Sequence, residues 1–378
     1  MQSIRTWGGI DVSARTLAVC RWRDGNENEK SFPNDAEGHR ELAKWLGKNA
    51  RVCVEATGVY HLQMALALRA CGVEVMVVNP RVAKDFARAL SNRSKTDEVD
   101  ARVLLGYVRR MEFVAWQAPR AAALELREIG RRLGELVQVS TDEKNRLHAR
   151  QSSGMSSTVI ADVQQHITQL GRRITQIEKA ALEVIAGDDD LREQMRIIEK
   201  ARGFGRRTAI LLLTELAVLD PTMTTRQLVA HAGLDPRVYE SGTSVQKPVR
   251  ISKVGNARIR AVLFMNALSA IRHDRGARLF FARLVARGKK KMQAIVAVMR
   301  KLLHGIWTAL QRRVAYDSSI LFGASLTRAE SSDSAMAAPQ PEAREDHPTG
   351  RSEAKELRQQ LDPRALEAIR PREASPQA

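Results

Sequence analysis

The chain has 378 residues and 42.1 kDa, enough for two or three domains with buried cores. Its 61 Lys and Arg against 43 Asp and Glu give a formal charge of +18, and the stretch Ser241–Arg313 holds seventeen of the cations with a single acidic residue, Asp274; charge so one-sided points to a polyanionic partner rather than to a merely soluble surface. A membrane-spanning or disulfide-built class is excluded: no apolar run reaches about 18 residues, no leader-like stretch opens the chain, and Cys20, Cys53 and Cys71 form no CxxC pair, which suits a reducing cytoplasm (nucleoid-associated, given the charge).

Strand and helix signals alternate over 4–110. Ile4–Val12 and Thr16–Arg23 read as strands, Asp24-Gly25-Asn26 as a hairpin turn, and the region near Lys30–Pro33 as a third strand. An amphipathic helix at His39–Lys48 presents Leu42, Trp45 and Leu46 on one face, before a strand at Val52–Glu55. Tyr60–Ala70 is a helix closed by Gly72, Val73–Val78 a buried strand, Val82–Leu90 a helix, and Asp97–Arg110 a further helix. Three consecutive strands followed by alternating helices and parallel strands are the order of a ribonuclease H-like α/β domain.

Trp116–Pro119 reads as a boundary. Ala121–Arg150 and Thr158–Ile185 are long helical patterns with charged exteriors, joined at Gln151-Ser152-Ser153-Gly154 as a helical hairpin, an arm or oligomerisation spacer of coiled-coil type. Asp188-Asp189-Asp190 can cap the next helix. Arg202-Gly203-Phe204-Gly205-Arg206-Arg207, between two helical runs, looks like a helix-hairpin-helix turn whose backbone N–H groups and two arginines could meet phosphate. A mostly α-helical C-terminal domain is expected there. Beyond Thr327 the composition predicts a disordered tail, with a transient helix at 352–361. The expected divisions are 1–116, 117–187, 188–326 and 327–378.

Four carboxylates carry the chemistry. Asp11 and Glu55 end apolar strands, and Asp97 and Asp100 lie three apart on one helix face. Together they form the layout of a two-metal phosphodiester site, which needs several anionic oxygens around Mg²⁺ ions roughly 3.5–4 Å apart. Ser241-Gly242 reads as an exposed turn followed by Lys247, Arg250, Lys253, Arg258 and Arg260; a serine becomes nucleophilic toward phosphate only where nearby cations or a metal neutralise charge. Lys289-Lys290-Lys291 is a phosphate-contact run, and Lys95, Arg206 and Arg207 complete the expected nucleic-acid contacts. Aromatic residues are only 4%, so base stacking is not the main binding mode.

Gly9-Ile10-Asp11-Val12-Ser13, Val54-Glu55-Ala56-Thr57-Gly58-Val59-Tyr60-His61, Val78-Asn79-Pro80 and Lys95-Thr96-Asp97-x-x-Asp100-Ala101 fall in one order. With Gly233-Leu234-x-Pro236, Ser241-Gly242 and Ile251-Ser252-Lys253-x-Gly255-Asn256, they resemble the DEDD insertion-sequence transposases of the "one-ten" family, related to the Piv and MooV DNA invertases. The resemblance implies a RuvC-like N-terminal domain in which Asp11, Glu55, Asp97 and Asp100 hold Mg²⁺. It also implies a second domain in which Ser241 joins covalently to the DNA backbone. Donor and target DNA would be the substrates, bridged by an element-encoded guide RNA, and the protein would work as a dimer or tetramer. Three other readings stand beside it: a RuvC-like junction resolvase using activated water, a Piv-like invertase without RNA, and a nucleic-acid-binding protein with no catalysis.

Overall fold

The computed structural model describes residues 6–56, 60–90, 97–152, 156–241 and 245–323, and of the side chains in 238–248 it describes nothing. The chain divides into two compact units, 1–118 and 119–378. Ile4 and Arg5, Lys95, the interhelical residues Ser153 and Gly154, and the tail all lie outside the described residues.

In the first unit a five-stranded sheet has the order β3-β2-β1-β4-β5, built from β1 (Thr6–Val12), β2 (Thr16–Arg23), β3 (Asn26–Pro33), β4 (Ala50–Glu55) and β5 (Glu74–Val78). The first three strands are antiparallel neighbours, whereas β4 and β5 run parallel to β1. That mixed order matches the sequence expectation and is consistent with a DEDD nuclease-like domain. β3 is longer than the pattern indicates. It starts at Asn26, directly after a two-residue Asp24-Gly25 turn with φ of 49° and 86°, the doubly left-handed geometry that suits the twist of a hairpin.

Strand alternation sorts the side chains onto two faces. Ile10, Val12, Val52 and Val54 bury against α1 (Ala36–Leu46) and α2 (Tyr60–Ala70), among Leu42, Leu46, Met64 and Leu68. Cys20, Cys53, Met76 and Val78 face the other way, under α3 (Pro80–Ala89) and α4 (Asp97–Arg110), among Ala83, Ala101, Leu104 and Leu105. α1 begins where Asp35 accepts from the Glu37 and Gly38 N–H groups and ends at Gly47 with φ 81°, two signals that fix its length.

The second unit is mostly helical. α5 (Ala121–Ser152) and α6 (Ser157–Gly187) pack along each other over a seam that includes Leu126, Leu133, Leu136, Leu170, Ile174 and Ala181. Asp188 then caps α7 (Asp189–Glu199) by accepting from Leu191 N–H, and Arg120 pairs with Asp188 at 2.7 Å. α8 (Arg206–Leu216), α9 (Thr225–His231), α10 (Ala257–His273), α11 (Arg275–Ala286) and α12 (Lys291–Arg312) complete the core around Ile210, Leu213, Leu263 and Leu302. Between α9 and α10 stands a two-stranded antiparallel ribbon, β6 (Pro236–Ser241) and β7 (Val245–Ile251). The sequence reading contains no such ribbon. The ribbon places Ser241 as the last residue of β6, paired with Val245, while Gly242, the other residue of the expected turn, lies outside the described residues.

Candidate active site

Asp11 lies toward the C-terminal end of β1, on the face covered by α4. The register with β4 pairs Gly9 with Cys53 and Ile10 with Val54; carried one residue further, it sets Glu55 beside Asp11 on neighbouring strands, about 4.8 Å apart in the ladder direction. Glu55 shares the α4 face with Cys53 two residues before it. α4 crosses β1 in backbone contact. A Cβ on Gly9 would stand 2.1 Å from the Ala101 carbonyl oxygen and 2.2 Å from Leu105 N, so only glycine lets the helix come so close. That approach brings the first turn of α4, which carries Asp97 and Asp100, over the strand ends. Acidic groups suit this helix N-terminus because its unpaired N–H groups leave partial positive charge.

Electrostatics register the convergence. Burial, and then the charges of Asp97, Asp100 and Glu55, push the Asp11 carboxyl from 3.8 up to about 6, against a lowering contact from the Val12 backbone. Three carboxylates thus act on one half-buried fourth, a charge arrangement whose chemistry suits a divalent cation. Glu98, between the two aspartates of α4, is exposed.

Two residues to which the sequence reading gives no role at the site brace it. Asn34 donates from Nδ2 to the Ser13 carbonyl at 2.8 Å and to the Tyr60 carbonyl at 3.3 Å, tying the turn after Asp11 to the start of α2. His39, buried, meets Asn34 Oδ1 at 2.8 Å, and burial lowers its pKa. A second acidic group, Cys20, Glu27 and Glu29, comes close enough to resemble a metal site. Arg102 neutralises it, pairing with Glu29 and lying 3.8 Å from Glu27. Burial and then the hydrogen bond to Glu27 hold the Cys20 thiol protonated.

The expected phosphate contacts sort differently. Arg250, Lys253, Arg258, Lys289, Lys290 and Lys291 are exposed, while Lys95 and the side chain of Lys247 lie outside the described residues. Arg260 is buried instead. It is 7% exposed and donates to the Ala232 carbonyl at 2.9 Å and the Gly255 carbonyl at 3.3 Å, so it braces the base of the ribbon. Arg207 pairs with Glu178 at 2.6 Å, and Arg206 approaches Glu199 at 3.6 Å. Gly203 has φ 99°, and a Cβ there would stand 2.9 Å from Ala270 N on α10. Its lack of a side chain therefore serves helix packing.

A DEDD transposase model of the IS110 type matches residues 8–150, and the model of the transposase IS116/IS110/IS902 family matches 195–282. The chain belongs to the IS110 transposase family. Among its relatives are the pilin gene-inverting proteins of Moraxella bovis and Moraxella lacunata. Each is 26% identical over 323 residues, which is 84% of this chain and 99% of the relative. The insertion element IS110 43.6 kDa protein of Streptomyces coelicolor is 28% identical over 130 residues, 34% of this chain and 32% of that one. The IS110-family chain is thus an enzyme of the DNA transposase and recombinase class. No helix among the described residues is long and apolar enough to cross a membrane.

Proposed function

We propose that the protein is a site-specific DNA recombinase that cuts and rejoins strands with two parts, a carboxylate quartet and a serine nucleophile. The observation that carries the reading is the convergence of Asp97, Asp100 and Glu55 on Asp11, in a chain of a transposase family. Asp11, Glu55, Asp97 and Asp100 would hold Mg²⁺, whose bound charge offsets that of the scissile phosphate. The Ser241 hydroxyl oxygen bonds to the phosphorus as the phosphorus–oxygen bond to the DNA sugar breaks, and the hydroxyl proton ends on the departing sugar oxygen. Attack by the sugar hydroxyl of a second strand on the phosphoserine reverses the step and joins new partners.

Exposed Arg250, Lys253, Arg258 and Lys289–Lys291 supply cations for donor and target backbones. The lysine run stands at the N-terminus of α12, where positive side chains oppose the helix dipole; an anion bound there would relieve both. Backbone contacts carry no base information. A guide RNA pairing with both DNAs would supply the specificity, with the protein as a dimer or tetramer. DNA inversion is the second reading, favoured by the near full-length likeness to pilin gene-inverting proteins.

Ser241→Ala tests the core of the proposal. The variant should bind DNA normally, exchange no strands and leave no protein–DNA adduct that survives SDS. Full recombination by the variant removes the serine, and free ends without an adduct in the native protein favour a junction resolvase with a water nucleophile.

A further inference from the structure

We propose that Glu215 is a positioning residue that locks the foot of the β6–β7 ribbon to the base of α5, so that the ribbon presents its Ser241 end in one orientation. The inference rests on the reading of Ser241 as nucleophile. Glu215 lies on α8 and is 2% exposed. Arg131 of α5 grips it with both arms of its guanidinium, Nε to Oε1 at 3.0 Å and Nη2 to Oε2 at 3.1 Å. Asn256 donates from Nδ2 to Oε2 at 2.7 Å. One carboxylate thus ties α5, α8 and the start of α10.

Asn256 is where the outgoing leg of the ribbon ends. Its Oδ1 accepts from Arg258 N–H at 2.9 Å and Ile259 N–H at 3.2 Å, and its own N–H donates to the His231 carbonyl at 2.7 Å. The two legs are stitched together just above: Ser252 N–H to the Asp235 carbonyl at 2.9 Å, Lys253 N–H to the Gly233 carbonyl at 3.1 Å, and the Ser252 hydroxyl to the Asp235 carboxylate. Whatever fixes Asn256 therefore fixes the ribbon's foot. On the other side, α5 and α8 touch where a Cβ on Gly130 would meet the Thr214 hydroxyl at 1.9 Å. The neighbouring pair Arg131–Glu215 lies at that crossing, with Glu215 buried and Arg131 partly exposed.

Burial alone would raise the Glu215 carboxyl, but the bonds and charge of Arg131, the Asn256 amide and the charge of Arg127 outweigh it and hold the group ionised. Arg127 Nε and His231 Nε2 beside it are buried without a hydrogen-bond partner. Such a network is a poor source of stability, because desolvating the charges offsets most of their attraction and an apolar substitute often does as well. What it does provide is direction: a bidentate fork and an amide accept only one arrangement.

The test uses the full-length protein with Glu215→Gln, which keeps the volume but removes the charge and one of the acceptors. Hydrogen exchange at the Ser252, Lys253 and Asn256 amides should accelerate at least tenfold, while the sheet of the first unit stays unchanged. Recombination at saturating DNA should fall at least tenfold with DNA affinity retained. If that variant does not fold, Asn256→Ser keeps a capping oxygen for α10 and removes the amide that donates to Glu215; the same two changes are expected. Unchanged exchange at the foot, or recombination within twofold of wild type despite faster exchange, overturns the proposal. Ser241→Ala run alongside separates the readings. If it recombines fully, the serine assignment falls and the anchor loses its purpose; if it is dead beside a fully active Glu215→Gln, only the anchor falls.

Discussion

Gly9→Ala adds one carbon at the point of β1 where α4 leaves no room for it. The new Cβ would meet the Ala101 carbonyl oxygen at 2.1 Å and Leu105 N at 2.2 Å, against an ordinary contact of 3.4–4 Å, so the helix must retreat by more than an ångström. Both neighbours are helix backbone and cannot rotate aside. Overpacking of this kind costs about 1–3 kcal/mol, and backbone on both sides places Gly9 at the upper end. The retreat also carries Asp97 and Asp100 away from Asp11, and a misplacement near 1 Å in a catalytic arrangement costs about 100-fold in rate. Gly8→Ala is the control, since its Cβ points to the other face and meets only the Val52 and Leu46 side chains, at 3.0 and 3.3 Å. Thermal unfolding and a recombination assay should separate the two variants clearly. If Gly9→Ala matches Gly8→Ala in both, the close crossing does not position the aspartates.

The remaining predictions concern charge. With its folded pKa raised from 3.8 to about 6, Asp11 binds more protons folded than unfolded, so metal-free stability should fall as pH rises from about 4 to about 6. The shift is worth about 3 kcal/mol unscreened and on the order of 1–2 kcal/mol at a half-buried site; Asp11→Asn should flatten that slope in pH-dependent melting, and divalent metal should raise the wild-type melting point above pH 6 but not the variant's. Lys289→Ala, Lys290→Ala and Lys291→Ala combined should flatten the log–log salt dependence of duplex binding by up to about three units, weakening unrelated sequences alike. Arg260→Ala should leave that salt slope untouched yet lower the unfolding free energy by about 1–3 kcal/mol, because two carbonyls at the ribbon base lose their donor.

The sequence made the first unit readable because its strands and helices carry strong periodic patterns. Thr16–Arg23, Tyr60–Ala70 and Asp97–Arg110 have the bounds that their apolar spacing indicates. β3 was only half legible, since Asn26–Ser31 is exposed and polar throughout and offers no alternation to read. The β6–β7 ribbon left still less signal: it holds Pro236 and Pro248 and has no sheet to bury a face against. Arg260 carried a misleading message, and at Gly203 a packing role went unread, for one reason. An arginine beside other cations, and a glycine beside arginines, look like phosphate contacts until tertiary packing buries one among carbonyls and presses the other onto α10.

The alternation of β1 has a bearing on folding fidelity. Beyond Thr6 and Arg51 at their N-terminal ends, β1 and β4 carry apolar residues on both faces around Asp11 and Glu55, so hydrophobicity alone discriminates weakly against a shift of one residue. Such a slip would drive both carboxylates to the side of Leu42, Leu46 and Met64, an environment with no partner for either charge. The two carboxylates therefore also guard the register, working with Arg51 against a misthreaded sheet that an all-apolar pair of strands would admit.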